Sequence, residues 1–294
     1  MSDIAIIGSD SFIASNFILK NEFFFSLRLF SRKSSGKNDE IVLEDLFEIN
    51  EEHLKDCKCL INFTAIVHKP EIKDKTIYED INVKLPVHLA NVAKKAGVSQ
   101  FIQMSTIAVY EETEYISEKT IENPSTIYGL SKLKADNQLL QFQNKDFVVS
   151  IVRPPMVYGG GNAPGNMMKL INAAQKGFPM PFKGIKNERD FINVRNLVLA
   201  LNTIIENVID GIVIPTDKNP ISTEEIMNFV RKYSNSRVRI LKIPILILLI
   251  IRKFKPDIYN KVFGSLKVKC NIPDTLYKPG FTIENGIKEM VNCR

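Results

Sequence analysis

The chain has 294 residues, 45% hydrophobic and 24% charged, with four cysteines. That is the make-up of an ordinary globular protein long enough for two lobes, and it excludes a disordered, fibrous or disulfide-stapled chain. The net charge of +6 comes from scattered Lys and Arg with no run suited to a nucleic-acid arm, so no nucleic acid is expected as partner and the excess favours anionic small substrates.

The chain runs from Met1 straight into an apolar strand at 4–7, without the basic-then-apolar design of a signal peptide, and a cytoplasmic location is expected. An amphipathic helix at 11–20, a strand at 26–30 and another at 59–64 follow by periodicity. Residues 83–96 read as a helix closed by Gly97, then come a strand at 101–104, a helix at 130–140 and a strand at 148–152. This alternation predicts the α/β class, with a Rossmann-type doubly wound parallel sheet. Beyond Gly159 the sequence turns to Gly, Asn and Pro with short apolar runs, while 191–201 reads as a return to the first half. The expected division is therefore 1–158 plus 190–213 for the Rossmann domain, and 159–189 plus 214–294 for a smaller, discontinuous C-terminal substrate-binding lobe. Seven apolar residues at 245–251, between Pro244 and Arg252, are too few for a membrane span of about 20. A buried helix is expected there, with interfacial attachment as the second reading. Cys57, Cys59, Cys270 and Cys293 have no second close pair and no neighbouring His, so neither a disulfide framework nor a metal site is expected.

Three places carry chemistry. After the first strand, Gly8-Ser9-Asp10-Ser11-Phe12-Ile13-Ala14 leads into a helix, where backbone N–H groups and the positive helix end suit a pyrophosphate. Gly8 is the lone glycine of the three such a loop normally carries, and read alone the segment fits a plain strand-to-helix turn equally well. The second strand ends Phe30-Ser31-Arg32-Lys33, and a cation there accommodates a ribose 2′-phosphate where an acidic side chain would hold a 2′-hydroxyl. NADP(H) is the expected cofactor, with NAD(H) as the alternative and a solvated turn as the bland reading of the two cations. Finally, Tyr128 and Lys132 stand four apart, on one face of a helix. A phenol exchanges protons poorly at neutral pH, and an ammonium about 4 Å away at an effective dielectric of about 20 contributes about 4 kcal/mol toward lowering its pKa.

These pieces belong to an ordered set. It contains the Gly8 loop, Glu44-Asp45-Leu46, Phe63-Thr64-Ala65, Asn82-Val83, Met104 to Tyr110, the Tyr128/Lys132 pair, Val152 to Gly159 and Arg189 to Val194. The set resembles the extended short-chain dehydrogenase/reductases, the NAD-dependent epimerase/dehydratase family, over nearly the whole chain. The resemblance implies Thr106, Tyr128 and Lys132 as catalytic residues, with Thr106 bonding the sugar C4 oxygen and Lys132 gripping the nicotinamide ribose. It implies cofactor contacts from Gly8, Ser11, Phe12, Ile13, Arg32, Asp45, Leu46, Phe63, Thr64, Ala65, Tyr128, Lys132, Pro154 and Val157. Substrate contacts are implied for His68, Thr106, Met156, Asn166 and Arg189, the last two on the diphosphate of a UDP-sugar. Members that dehydrate sugars carry Asp-Glu after the matching Thr, whereas this chain has Ile107 and Ala108. The tail Phe263-Gly264-Ser265-Leu266-Lys267-Val268 and the run through Pro164-Gly165-Asn166 are similar to reductases of capsule and O-antigen assembly. These convert a UDP-4-keto-6-deoxy-N-acetylhexosamine to UDP-N-acetylfucosamine or UDP-N-acetylquinovosamine. A UDP-hexose 4-epimerase and a non-catalytic cofactor-binding regulator are the rival readings, and a homodimer is left open.

Overall fold

The computed structural model describes residues 3–34, 36, 40–67, 74–110, 113–161 and 163–293. In chain order the elements are β1 (Asp3–Ile7), α1 (Phe12–Asn21), β2 (Ser26–Ser31), β3 (Glu40–Val42), β4 (Cys57–Asn62), α2 (Lys75–Glu79), α3 (Leu85–Lys95), β5 (Gln100–Met104), β6 (Tyr115–Ile116), α4 (Ile127–Leu140) and β7 (Val148–Val152). The chain continues through β8 (Val157–Tyr158), α5 (Asn166–Gln175), β9 (Met180–Lys183), β10 (Ile192–Asn193), α6 (Val194–Asn207) and β11 (Gly211–Val213). It ends with α7 (Thr223–Tyr233), β12 (Ile240–Lys242), α8 (Ile245–Phe254), α9 (Pro256–Phe263), β13 (Lys267–Val268) and α10 (Ile283–Asn292).

By internal packing these elements form two compact units, 1–111 with 120–153 and 198–214, and 112–119 with 154–197 and 215–294. The first unit holds a seven-stranded parallel sheet in the order β11-β7-β5-β4-β1-β2-β3. Its inner strands are apolar on both faces, as strands covered by helices on either side must be. Ile4, Ile6, Ile7, Leu60, Ile61, Phe101, Ile102, Val149 and Ile151 are all fully buried. The chain winds outward from β1 to β3, then returns to place β4 on the other side of β1. That reversal opens a crevice at the carboxyl ends of β1 and β4, where Gly8 and Phe63 stand.

Two of the boundaries that differ from the periodicity reading have a clear local reason. Strand β4 ends at Asn62, not at 64, because the Asn62 side-chain oxygen accepts from the Thr64 backbone N–H at 3.0 Å and turns the chain out of the ladder;. The helix read at 83–96 begins eight residues earlier, at Lys75, and passes through a π-helical turn at Asp80–Lys84 before α3. Asn82 in that turn accepts from the Ile66 N–H and donates to the Ile66 carbonyl and to the Ser131 hydroxyl. The extra residue of the π-turn thus ties the loop after β4 to α4.

In the second unit, short parallel pairs fix residues that the sequence reading had placed in the first. Strand β6 pairs with β13 and β8 with β10, so 112–119, 154–158 and 190–197 pack there. Asp217, half-buried, anchors that arrangement, accepting from the Tyr158 hydroxyl at 2.7 Å, the Asn193 N–H at 3.0 Å and the Asn196 amide at 2.7 Å. The helix expected to be buried at 245–251 is α8, and none of its side chains is buried. It packs against α9, Leu248 and Ile251 are half-covered, and most of its apolar surface faces solvent.

Candidate active site

Gly8 makes the turn from β1 to α1 with a positive φ of +79°, and a Cβ there would stand 3.0 Å from Thr64 Cγ2 and 3.3 Å from the Thr64 nitrogen. Only glycine combines that conformation with so close an approach of the loop after β4. Ser11 caps α1, its hydroxyl accepting from the Ala14 N–H at 3.3 Å. The N–H groups of Phe12 and Ile13, in the first turn, have no intrahelical acceptor and carry the positive end of the helix. Beside this turn lies a cavity of about 560 Å³, walled by Gly8, Ser11, Arg32, Asp45, Leu46, Phe63, Thr64 and Ala65. Eight of the residues assigned to the cofactor from sequence therefore meet at one cavity. Asp10, Glu44, Phe47, Ile66, Asp80, Ile81 and Leu85 complete its walls and were not singled out. Asp80 and Ile81 belong to the π-turn, whose extra residue leaves no trace in the hydrophobic period.

Helix α4 carries Tyr128 and Lys132, two of the three residues expected to be catalytic. Thr126 caps it by accepting from the Gly129 N–H at 3.0 Å, which fixes Tyr128, Lys132 and Asp136 on one face, one turn apart. A side chain on Gly129 would collide with the Ala108 carbonyl and with Pro124. Its absence lets the turn at Ile107–Val109 lie directly on α4, and Thr106, at the head of that turn, shares a hydrogen bond with the Tyr128 phenol. Thr106, Tyr128 and Lys132 are thus brought together inside the first unit.

The electrostatics differ from the first expectation. Burial pushes the Tyr128 phenol up to about 12, outweighing the hydrogen bond from Thr106, and the negative charge of Asp136 adds to the rise. The lowering expected from the neighbouring ammonium is thus not what sets the phenol in the chain by itself; desolvation is. Burial also lowers Lys132 to about 8, against the opposing attraction of Asp136. The Lys132 ammonium is fully buried and has no hydrogen-bond partner among the described residues. An unpartnered buried ammonium is costly, and it is what a site prepared for an incoming hydroxyl would leave.

Behind Lys132 lies a charged network that the motif reading missed. Asp136 is fully buried, accepts from the Ser105 hydroxyl at 2.7 Å and is paired with Arg153 at 3.0 Å. Arg153 also donates to the Tyr110 hydroxyl at 2.8 Å and to Glu122 at 2.9 Å. Burial raises Asp136 above the usual carboxylate range, with Arg153 and Lys132 pulling the other way. Spacing places Asp136 one helical turn after Lys132, but the pairing with Arg153, which lies on a different segment, is not visible in it.

The remaining site candidates lie in the second unit or outside the described residues. Pro154 is buried, Val157 is half-buried in β8, and Met156 and Asn166 are exposed. Arg189 lines a second-unit cavity of about 590 Å³ with Asn187, Arg252, Tyr259, Lys261 and Gly264, and Asn166 is not among its walls. The Arg189 guanidinium donates to the carbonyls of Asn260 and Gly264 at 3.1 and 2.8 Å. His68 lies outside the described residues. Among the described residues no group of three His, Cys, Asp or Glu side chains is arranged to hold a metal ion.

Comparison with known proteins agrees with this geometry. The profile of the NAD dependent epimerase/dehydratase family matches residues 11–214. A UDP-glucose 4-epimerase of Vibrio cholerae is 29% identical, over 97% of this chain and 93% of its own. The structure of a UDP-glucuronic acid 4-epimerase from Bacillus cereus with NAD superposes with a TM-score of 0.78 at 19% identity, covering 99% of this chain and 96% of that one. RMD from Pseudomonas aeruginosa with NADPH superposes with a TM-score of 0.70 at 17% identity, covering 99% and 98%. At such identities the two structural likenesses speak for the fold.

Proposed function

The chain belongs to the NAD dependent epimerase/dehydratase family, and on that premise we propose that it reduces the C4 ketone of a UDP-4-keto-6-deoxy-N-acetylhexosamine. The products are UDP-N-acetylfucosamine or UDP-N-acetylquinovosamine for surface polysaccharide, made in the cytoplasm. The carrying observation is the meeting of Thr106, Tyr128 and a buried, unpartnered Lys132 on one face of α4.

A nicotinamide cofactor held in the first-unit cavity would supply hydride to the sugar carbon. The residues of the chain do the rest. Gly8 and the first-turn N–H groups of Phe12 and Ile13 hold the diphosphate, with Ser11 closing the helix end. Asp45, Leu46, Phe63, Thr64 and Ala65 wall the cavity around the nucleoside, and Arg32 at its rim meets a ribose 2′-phosphate, so NADP(H) is the preferred cofactor. Pro154 and Val157 complete the cofactor contacts. The Lys132 ammonium takes a ribose hydroxyl as the partner it lacks. Tyr128 delivers its proton to the C4 oxygen, while the Thr106 hydroxyl steadies that oxygen as negative charge builds on it. Met156, Asn166 and Arg189 are assigned to the sugar nucleotide, the Arg189 guanidinium being suited to phosphate oxygens; His68 is assigned a sugar contact from its sequence position. Ile107 and Ala108 offer no acid or base, so no water is eliminated from the sugar.

The Vibrio cholerae relative supports a second reading, a UDP-hexose 4-epimerase built from the same residues. A reductase consumes cofactor with each turnover and an epimerase does not. Incubated with the UDP-4-keto-6-deoxy sugar, the protein is expected to oxidise NADPH one-to-one with reduced sugar, followed by the absorbance of the reduced nicotinamide and by mass spectrometry of the product. Interconversion of a UDP-hexose at C4 with no net loss of NADPH would instead establish the epimerase.

A further inference from the structure

Helix α8 has the sequence Ile-Leu-Ile-Leu-Leu-Ile-Ile-Arg-Lys-Phe and buries none of these side chains. Ile245, Leu246 and Phe254 are 71%, 69% and 73% exposed, and Ile247, Leu249 and Ile250 are exposed as well. Single exposed apolar residues are ordinary, but a contiguous patch of this kind on a soluble chain marks a surface that something covers. At about 1.5 Å per residue the helix is about 15 Å long, half of a hydrocarbon core of about 30 Å. Among the described residues no helix is long and apolar enough to cross a membrane. What such a helix can do is lie in the plane of an interface.

The charges around it select the occupant. From 239 to 261 the sequence carries Arg239, Lys242, Arg252, Lys253, Lys255 and Lys261 against the single carboxylate Asp257. Arg252 is held over the Tyr259 ring at 5.6 Å, fixing this cation at the carboxyl end of α8 against α9. A second copy of the chain docking by the same face would bring this cationic collar against its own image. An anionic lipid surface accepts both features, the apolar side chains entering the acyl boundary while the basic side chains stay at headgroup height.

We propose that α8 and its basic collar seat the protein on an anionic phospholipid bilayer, as an in-plane attachment; this does not depend on the C4 chemistry assigned above. The test is co-sedimentation of the full chain with mixed phosphatidylglycerol–phosphatidylcholine vesicles and with pure phosphatidylcholine vesicles. Tenfold or stronger preference for the mixed vesicles is expected, lessened by salt. It should be lost in Leu246→Glu/Ile250→Glu and weakened about tenfold in Lys253→Gln/Lys255→Gln. Because the chain has no tryptophan, Leu249→Trp supplies a second readout, a blue shift of indole emission on adding the mixed vesicles. Protein left in the supernatant with both vesicle types, equal binding to the two, or an unshifted indole would overturn the proposal. So would a dimer that ignores vesicles and dissociates in Leu246→Glu/Ile250→Glu, since a second copy would then cover the face.

Discussion

Tyr128 holds its proton more firmly than a free phenol, and its neighbour Lys132 holds its own less firmly than a free amine, both because burial penalises charge;. Tyr128→Phe keeps the ring and removes the proton. Turnover is expected to fall by about 10²–10⁴-fold, the usual contribution of a general acid, while NADPH titration shows affinity close to wild type. Unchanged turnover would remove Tyr128 from the mechanism. Lys132 makes a prediction in pH. Below about 8 it is an ammonium and above that it loses its charge, so kcat/KM, which reports the free enzyme, should fall as pH rises through about 8. Stability moves the other way. Between about 8 and 10.5 the unfolded chain keeps the proton that the folded chain has released, so the contribution of this group to folding improves with rising pH. Chemical denaturation of wild type and Lys132→Met across that window should show their difference shifting in favour of wild type. A flat difference would mean that Lys132 is not desolvated as described.

At the level of elements, α4 joins the legible to the illegible. The spacing of Tyr128 and Lys132 announces a shared helix face. That spacing says nothing of Gly129, whose importance comes from the Ala108 carbonyl lying against it, a contact between segments separated in the chain. The pairing of Asp136 with Arg153 is hidden for the same reason. Breaking a buried ion pair by removing one partner typically costs about 3–5 kcal/mol. Arg153→Met should therefore destabilise the protein by about that amount in urea unfolding, since it leaves Asp136 buried beside Lys132 and Ser105 alone. A loss below about 1 kcal/mol would show the network to be dispensable to the fold. Helix α8 teaches the converse lesson. Its apolar run was plain in the sequence, but whether such a run is buried depends on what packs over it, which periodicity does not encode.

For the whole molecule, the cofactor assignment is the point most open to experiment. Arg32 stands at the wall of the first-unit cavity, where a 2′-phosphate would need a cation. Arg32→Ala should weaken NADPH by about tenfold or more while leaving NADH nearly unchanged, measured by fluorescence titration of each. Equal loss of both would defeat the preference for NADP(H). The sequence by itself determined the winding of the sheet, because strands buried on both faces must be continuously apolar and the helices between them must be amphipathic. It also determined that Tyr128 and Lys132 share one face of α4, because a helical face is set by spacing alone. Only the tertiary structure decided that 115–116 pair with 267–268 and 157–158 with 192–193. Those strands are two residues long, too short to show a period, and their partners lie in distant or intervening sequence. It decided likewise that Asp136 and Arg153 lie buried together and that α8 lies open, since burial is a property of what the rest of the chain brings to a residue.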